Sequence, residues 1–574
     1  EAGKAVRNGH GVKSSVSEEP ITLFVAKKIV TMDPATPAAT AIAVQGDRIV
    51  GIGDSEDPDL RKATQIDDRF RQHVLLPGFV EAHAHVMSGG LWEFPYVGFY
   101  ERADPTGRSW KGCGDIDSVV ECLIEYDEQM KDPAQTLIAW GLDPIFLKGA
   151  RLSSTHLDRV SRTRPIFVLH ASGHLATVNS EMMRKSSIDR HSPTPGVARD
   201  NDGEPTGELQ EPAAMSLALE GLSTIGKAMM SSEAKWNFGL EARNCGVTTV
   251  ADLGTTRLAL EGQLEAWREV TDARNYPARV VVAFGHYDSG SSPTDIDDLA
   301  AIAARLSNEE ETTKLRFGIV KLILDGSIQG FTARLSPPHY FDPPPGHQGN
   351  GLWLIPPEQM SKIVASYHKA GLTVHCHCNG DEASQVFIDA VEEALADHPR
   401  DDHRHTVQHS QLTTVKQYRK MASLGMNANI FSNHIFYWGD QHAEITLGAQ
   451  RAAAMDACAT AERENVKFSI HSDAPITPMS QLHTIWCAVN RQTASGKILG
   501  PNERIGVHKA IEACTIDAAH QLRLDNEIGS LQVGKFADFT VLEADPYEVE
   551  PDKLKDIPVW GTVVGGVVHE AASE

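Results

Sequence analysis

Three observations predict an α/β protein: a (β/α)8 TIM barrel, with a small composite β-sandwich formed from both chain ends. Eight short apolar strands alternate with helical stretches through the middle of the chain, the signature of a parallel sheet. Both ends carry short β-like runs of the same texture. One connection, residues 86–246, is too long for a loop and has strand-like and helical runs of its own. It reads as an inserted α+β subdomain between the first and second barrel strands.

Taken in order, residues 1–19 are polar, contain Gly and Ser, and show no periodicity, so a disordered tail is expected. ITLFVAKKIVTMD and ATAIAVQGDRIVGIGD then read as strands punctuated by a QGD turn, placing the first part of the β-sandwich at 20–74. The barrel is expected over 75–525. Its strands are LLPGFVEAHAH (75–85), VTTVAD (247–252), RVVVAFG (279–285), RFGIVKLI (316–323), LTVHCH (372–377), HTVQHS (405–410), MNANIF (426–431) and KFSIHSD (467–473). The inserted subdomain is placed at 95–230 on runs such as TLIAWGL and RPIFVLHASGHLATVNS. GKFADFTVLEAD and VWGTVVGGVVHEA return to β texture and place the rest of the sandwich at 526–574.

Composition excludes several classes. The 574 residues are 41% hydrophobic and 23% charged, an ordinary globular balance with room for a large core. A formal net charge of −24 argues against nucleic acid or an anionic membrane as partner, since both demand concentrated Lys and Arg. No run reaches the ~18 apolar residues of a membrane span. Eight scattered cysteines read as buried free thiols rather than a disulfide scaffold, which suits a reducing compartment. A cytoplasmic protein is therefore expected. Because the chain starts at Glu1, a removed tag or signal peptide, and with it a periplasmic or secreted location, stays open.

Chemistry gathers at strand ends. His83 and His85, in PGFVEAHAHV, share one face of a strand and either grip a metal ion or cap the strand by hydrogen bonds. Their position decides more than the HxH spacing, because active sites in such barrels lie at the C-terminal strand ends. Lys321, inside the apolar run GIVKLIL, either snorkels outward or is a neutral amine that adds carbon dioxide to give a carbamate. His377, His409 and Asp473 end the fifth, sixth and eighth strands. Each alone reads as well as a satisfied hydrogen-bonding group; five strand ends finishing in ligand types point together to a metal site.

HCHCNGDEA, 375–383, looks at first like a four-ligand cage. In a barrel strand, however, residues 375 and 377 face inward while Cys376 and Cys378 face the helices. His377 is then the expected ligand, His375 a supporting or core residue, and both cysteines packing.

The combination PGFVEAHAH, VK followed by DGS, HCNGD, QHSQL and HSDAP resembles the amidohydrolase superfamily, in particular its N-substituted formamide deformylase-like branch. The ending EIGSLQVGKFADFTVLEADP is also typical, and GHLATVNS and GEPTGELQE look like that branch's inserted subdomain. The resemblance spans about residues 20–570. It implies a hydrolase with one or two divalent ions, zinc first among them. His83, His85 and Asp473 would hold one ion, His377 and His409 the other, and carbamylated Lys321 would bridge them. A metal-bound hydroxide would attack the carbonyl of an amide, N-acyl or N-formyl amine. Asp473 would take its proton and pass it to the leaving nitrogen.

Gln408 and Glu382 depart from the branch, which often has glutamate and arginine there; Glu382 would make the mouth more acidic and favour a substrate that is not strongly anionic. His174, His434 and Trp438, with Tyr437, are the expected substrate-facing residues, the aromatics otherwise reading as loop packing. The expected partner is a small-molecule amide-type substrate, in a chain that can also form a homo-oligomer. A mononuclear deaminase is the second reading, weakened by Lys321, and a non-catalytic barrel serving in assembly is the third.

Overall fold

The computed structural model describes residues 19–572, apart from 148–150, 259, 287–294 and 344–348. Of the tail expected at 1–19, all but Glu19 lies outside the described residues. Among the described residues no helix is long and apolar enough to cross a membrane.

Mixed α/β architecture is what forms. Parallel strands follow one another in chain order: β1 (Phe79–Ala84), β2 (Val247–Asp252), β3 (Arg279–Val282 and Phe284–Gly285), β4 (Leu315–Arg316 and Ile319–Ile323), β5 (Thr373–Cys378), β6 (Thr406–His409), β7 (Asn427–Ile430) and β8 (Phe468–Ile470). Every neighbouring pair is parallel, with Lys321 opposite His375 and His377 opposite Gln408. The chain leaving β8 returns to β1 through Asp473 N–H to the His83 carbonyl (3.0 Å) and His85 N–H to the Ala474 carbonyl (2.8 Å). β4 is interrupted at Phe317 and Gly318, where φ is +93°, a conformation that glycine adopts without strain.

Apolar strand residues face a helical layer. Cys376 and Cys378 are fully buried in one cluster with Ile363, Tyr367 and Phe387 of helices Pro357–Lys369 and Asp381–Asp397. These two cysteines therefore pack and do not face the interior histidines.

The first strand begins later than its apolar run suggests. Leu75–Pro77 complete strand Gln65–Pro77 of a different sheet, and the chain crosses over at Gly78. A Cβ at Gly78 would stand 1.8 Å from Thr248 Oγ1, so only glycine allows β1 to start there. That other sheet has seven strands in the order 567–570, 559–564, 539–542, 65–77, 21–30, 38–45, 48–53. Its hydrogen bonds form one continuous ladder that curls on itself, so that Ile42 and Val44 from one end share a buried cluster with Val541 and Val563 from the other. Strand Phe539–Leu542 pairs antiparallel with Gln65–Pro77, which is how the two chain ends join.

Residues between β1 and β2 carry a five-stranded sheet and several helices, including Leu219–Met230 and Ser232–Asn244. Helix Leu219–Met230 leans over the strand ends and supplies one wall of the site.

Candidate metal centre

His83, His85 and Asp473 bring their ligand atoms to within 4.8 Å of one another, and so do His83, His409 and His471. The backbone turns out of its strands at these points. His409, Ser410 and Asp473 have φ of +69°, +49° and +56°, left-handed conformations that cost non-glycine residues roughly 1–3 kcal/mol each. Held strain at a ring of strand ends is characteristic of functional sites.

The hydrogen bonds fix which imidazole nitrogens are free to bind. Gln408 Oε1 lies 2.6 Å from His83 Nδ1 and also accepts from Asn429 Nδ2 at 3.0 Å, so Nδ1 carries the His83 proton and Nε2 a lone pair. Asn429 Oδ1 accepts from His471 Nδ1 at 2.9 Å; His471 Nε2 then accepts from His409 Nδ1 at 3.1 Å, leaving His409 Nε2 for an ion. His85 Nδ1 is engaged by Thr255 Oγ1 at 2.7 Å. His377 Nε2 is engaged by the Gly326 carbonyl at 3.2 Å and by Asn379 Nδ2 at 3.1 Å, which leaves Nδ1 as its free nitrogen. Each predicted ligand histidine thus has one nitrogen tied to an orienting partner, the usual arrangement at metal sites.

One atom is left as a cation site would leave it. Asp473 Oδ1 is buried and accepts no hydrogen bond among the described residues, yet His85 Nε2 and His83 Nε2 stand 3.0 and 3.2 Å from it. With His83 Nδ1 protonated, an oxygen and a nitrogen lone pair converge on one point, which is repulsive until a positive charge lies between them. Lys321 Nζ is 3.2 Å from the same His83 nitrogen. Lys321 is 1% exposed, and burial pushes its amine down to about 8. His377 and His409 lie beside this group, ring centroids 4.4 Å apart.

Glu81, Asp325, His471 and Asn429 are supporting residues that escaped the sequence reading, whereas His375 was expected in such a role. Glu81 accepts from His83 N–H (3.1 Å), Ser472 N–H (3.1 Å) and Ser472 Oγ (2.6 Å), clamping β1 to the end of β8. Asp325 accepts from the Arg334, Asn379 and Gly380 amides at 2.8–3.0 Å and sits 3.6 Å from His377 Nε2. His375 is buried, its Nδ1 2.8 Å from Gln408 Nε2. It supports the centre from below. The E in FVEAHAH and the D in DGS are visible in sequence as carboxylates in apolar surroundings; His471 and Asn429 become legible only through register.

Burial makes these histidines poor bases. It holds His375 and His377 at about 3, and pulls His83, His409 and His471 well below the ordinary histidine value. It also pushes Glu81 up to about 8 and Asp325 up to about 7. Below about pH 6.5 the unfolded chain protonates histidines that the fold keeps neutral, so their stabilising contribution is lost as pH falls. The two raised carboxylates work in the opposite sense, favouring the fold as pH falls, but five histidines outnumber them. The denaturation midpoint of metal-free protein is therefore expected to drop between pH 7 and 5, as followed by tryptophan fluorescence. A midpoint that rises over that interval contradicts a neutral histidine cluster.

A cavity of about 440 Å³ opens above the centre. His83, His85, Lys321, His377, His409 and Asp473 line its floor. Leu169, Met215, Leu222, Ile225 and Met229, all from the segment between β1 and β2, give it an apolar wall. His174 and His434 also line it. Trp438 does not. Helix His434–Gln441 places it one turn beyond His434, so it stacks behind that ring at 4.4 Å, 3% exposed, and donates its indole N–H to Asp143 at 3.0 Å. Glu382 is not an acidic feature of the mouth either: Arg334 Nη2 binds it at 2.8 Å and neutralises it.

Fold and donor set together define a metal-dependent hydrolase. The chain belongs to the amidohydrolase family, whose sequence profile matches residues 71–569. That family implies a divalent ion, and the donors described above fit one. The chain is 27% identical to Protein LONG AFTER FAR-RED 3 of Arabidopsis thaliana over 94% of its own length and 89% of that protein. It is 24% identical to N-substituted formamide deformylase of Arthrobacter pascens, covering 95% of this chain and 98% of the relative. Among solved structures, an uncharacterized metal-dependent hydrolase from Pyrococcus horikoshii shares the fold with a TM-score of 0.69, 20% identity, and coverage of 92% and 99%.

Proposed function

We propose that this protein hydrolyses a carbon–nitrogen bond in an amide, N-acyl or N-formyl amine, at a two-ion centre in the mouth of a closed (β/α)8 barrel. The observation that carries the reading is the unpartnered Asp473 Oδ1 facing His83 Nε2 and His85 Nε2. His83, His85 and Asp473 would hold one ion, and His377 Nδ1 with His409 Nε2 the other. Lys321, buried beside His83 and easily neutralised, would carry the carbamate that joins them. Imidazole, carboxylate and carbamate donors suit zinc, and also manganese, iron or cobalt.

When bound, such ions supply an acidified water and a polarised carbonyl at neutral pH. The chain's own residues do the rest. Asp473 takes the proton from the attacking water. The apolar wall excludes bulk solvent and receives an uncharged, apolar substituent of the substrate, since among the described residues no Arg or Glu lines the cavity. The name of the Arthrobacter relative supports an N-acyl or N-formyl amine of this kind.

The test is a matched panel run with metal-reconstituted protein: N-formyl and N-acetyl derivatives of benzylamine and hexylamine, the corresponding N-acetyl amino acids, and aminated heterocycles. Amine release from the neutral amides, with two ions per chain, is expected. Ammonia release from the heterocycles with one ion per chain indicates deamination and overturns the reading.

A further inference from the structure

The two inserted-subdomain motifs noted in the sequence, GHLATVNS and GEPTGELQE, meet in the fold. Strand Leu175–Val178 pairs antiparallel with Pro205–Gln210, and Leu175 lies opposite Gln210. His174 and Glu211 therefore fall side by side just past the end of the ladder. Glu211 N–H donates to the His174 carbonyl at 2.7 Å, and Glu211 Oε2 lies 3.0 Å from His174 Nδ1. Glu211 reaches this position with φ of +65°, a strained value for a residue with a side chain. Pro212 follows at once, the second residue of helix Glu211–Met215.

A carboxylate that engages one imidazole nitrogen fixes the tautomer and aims the other nitrogen. His174 lines the cavity whose floor is the metal centre, whereas the described cavity lining does not include Glu211. Nδ1–H is thus committed to Glu211, and Nε2 is the atom His174 offers to the cavity.

Amide cleavage needs such a group. A departing amide nitrogen is too basic to leave as an anion and must be protonated as the bond breaks. Asp473 lies at the cavity floor beside His83, His85 and His409, where it is occupied with the proton of the attacking water. We propose that His174, oriented by Glu211, is the proton donor to the leaving nitrogen; the assignment rests on the carbon–nitrogen hydrolysis reading above. Water oxygen forms the new C–O bond and gives its proton to Asp473. The electron pair of the breaking C–N bond goes to nitrogen, which takes a proton from His174 Nε2. The acid and the amine leave, the acid giving water's second proton to solvent as it becomes a carboxylate; Asp473 releases its proton to solvent, and the neutral imidazole is reprotonated from solvent. Glu211 is a positioning residue that acts through His174.

The experiment compares wild type with His174→Gln and Glu211→Gln on acetamides of rising leaving-group basicity, from p-nitroaniline through aniline to benzylamine. His174→Gln is expected to lose about 100-fold or more in kcat/KM on the benzylamide but less than about 10-fold on the p-nitroanilide, which needs little protonation. Glu211→Gln should show the same slope, less steeply. Metal content should equal that of wild type in both. An equal loss across the series, or no loss, overturns the assignment while leaving amide hydrolysis intact. A wild type that cleaves none of the three amides overturns the underlying reading and the assignment with it. Should His174→Gln fail to fold, the slope for Glu211→Gln decides alone.

Discussion

Asp473→Asn is expected to reduce turnover of the best amide substrate by about 10³-fold or more and to abolish metal-induced thermal stabilisation. Asn keeps the shape of the side chain, so packing at this 7% exposed position is little disturbed. It loses the negative charge that offsets a dication and the oxygen that takes the proton from water. Metal-free Asp473→Asn should unfold no earlier than metal-free wild type, because the substitution removes a buried carboxylate whose Oδ1 lacks a hydrogen-bond partner. That pairing is specific: a residue serving only structure would lower the melting temperature without metal as well. A metal-free Asp473→Asn protein several degrees less stable than wild type, with metal stabilisation retained, sinks the ligand role.

Lys321→Ala is the second large effect. The amine is fully enclosed and 3.2 Å from a lone-pair nitrogen, and burial brings it down to about 8. Only the neutral amine adds carbon dioxide, so in wild type uptake of the second ion should rise as pH increases through about 8 and should depend on bicarbonate. Lys321→Ala should bind one ion where wild type binds two and lose about 100-fold or more in kcat. It leaves a space the size of a short acid, so acetate or propionate should restore part of both. A substitution that leaves two ions bound, or activity insensitive to bicarbonate and to added acids, excludes a carbamate.

How much of this was legible in the sequence depends on what kind of information each element needs. His83, His85, His377, His409 and Asp473 stood out because period-two geometry and position at the end of an apolar strand are local properties. The same local rule divided HCHC correctly: Cys376 and Cys378 are buried among helix residues, while His375 and His377 face the interior network. The supporting residues are a different matter. Asn429 and Gln408 meet because β6 and β7 pair in one particular register, and His471 reaches His409 from another strand. No local pattern encodes that.

Two readings failed for physical reasons that can be named. Trp438 follows a barrel strand and is aromatic, but a helix begins at His434, and the i,i+4 relation turns the indole behind the residue that lines the cavity. Glu382 looked like exposed acidity because its partner, Arg334, lies 48 positions away in a loop that a single sequence does not place. The chain-end sheet was anticipated as β structure from both termini, yet whether its strands form one ladder or two depends on pairings across more than 450 residues, such as Arg48 with Phe536.

Whether the five converging strand ends hold metal is tested by anomalous diffraction at the zinc edge from zinc-loaded protein. The expected result is a peak bound by His83 Nε2, His85 Nε2 and Asp473, about 2.0–2.2 Å from each, and a second bound by His377 Nδ1 and His409 Nε2. A single peak held by His83, His409 and His471, or no peak within reach of Asp473, would contradict it.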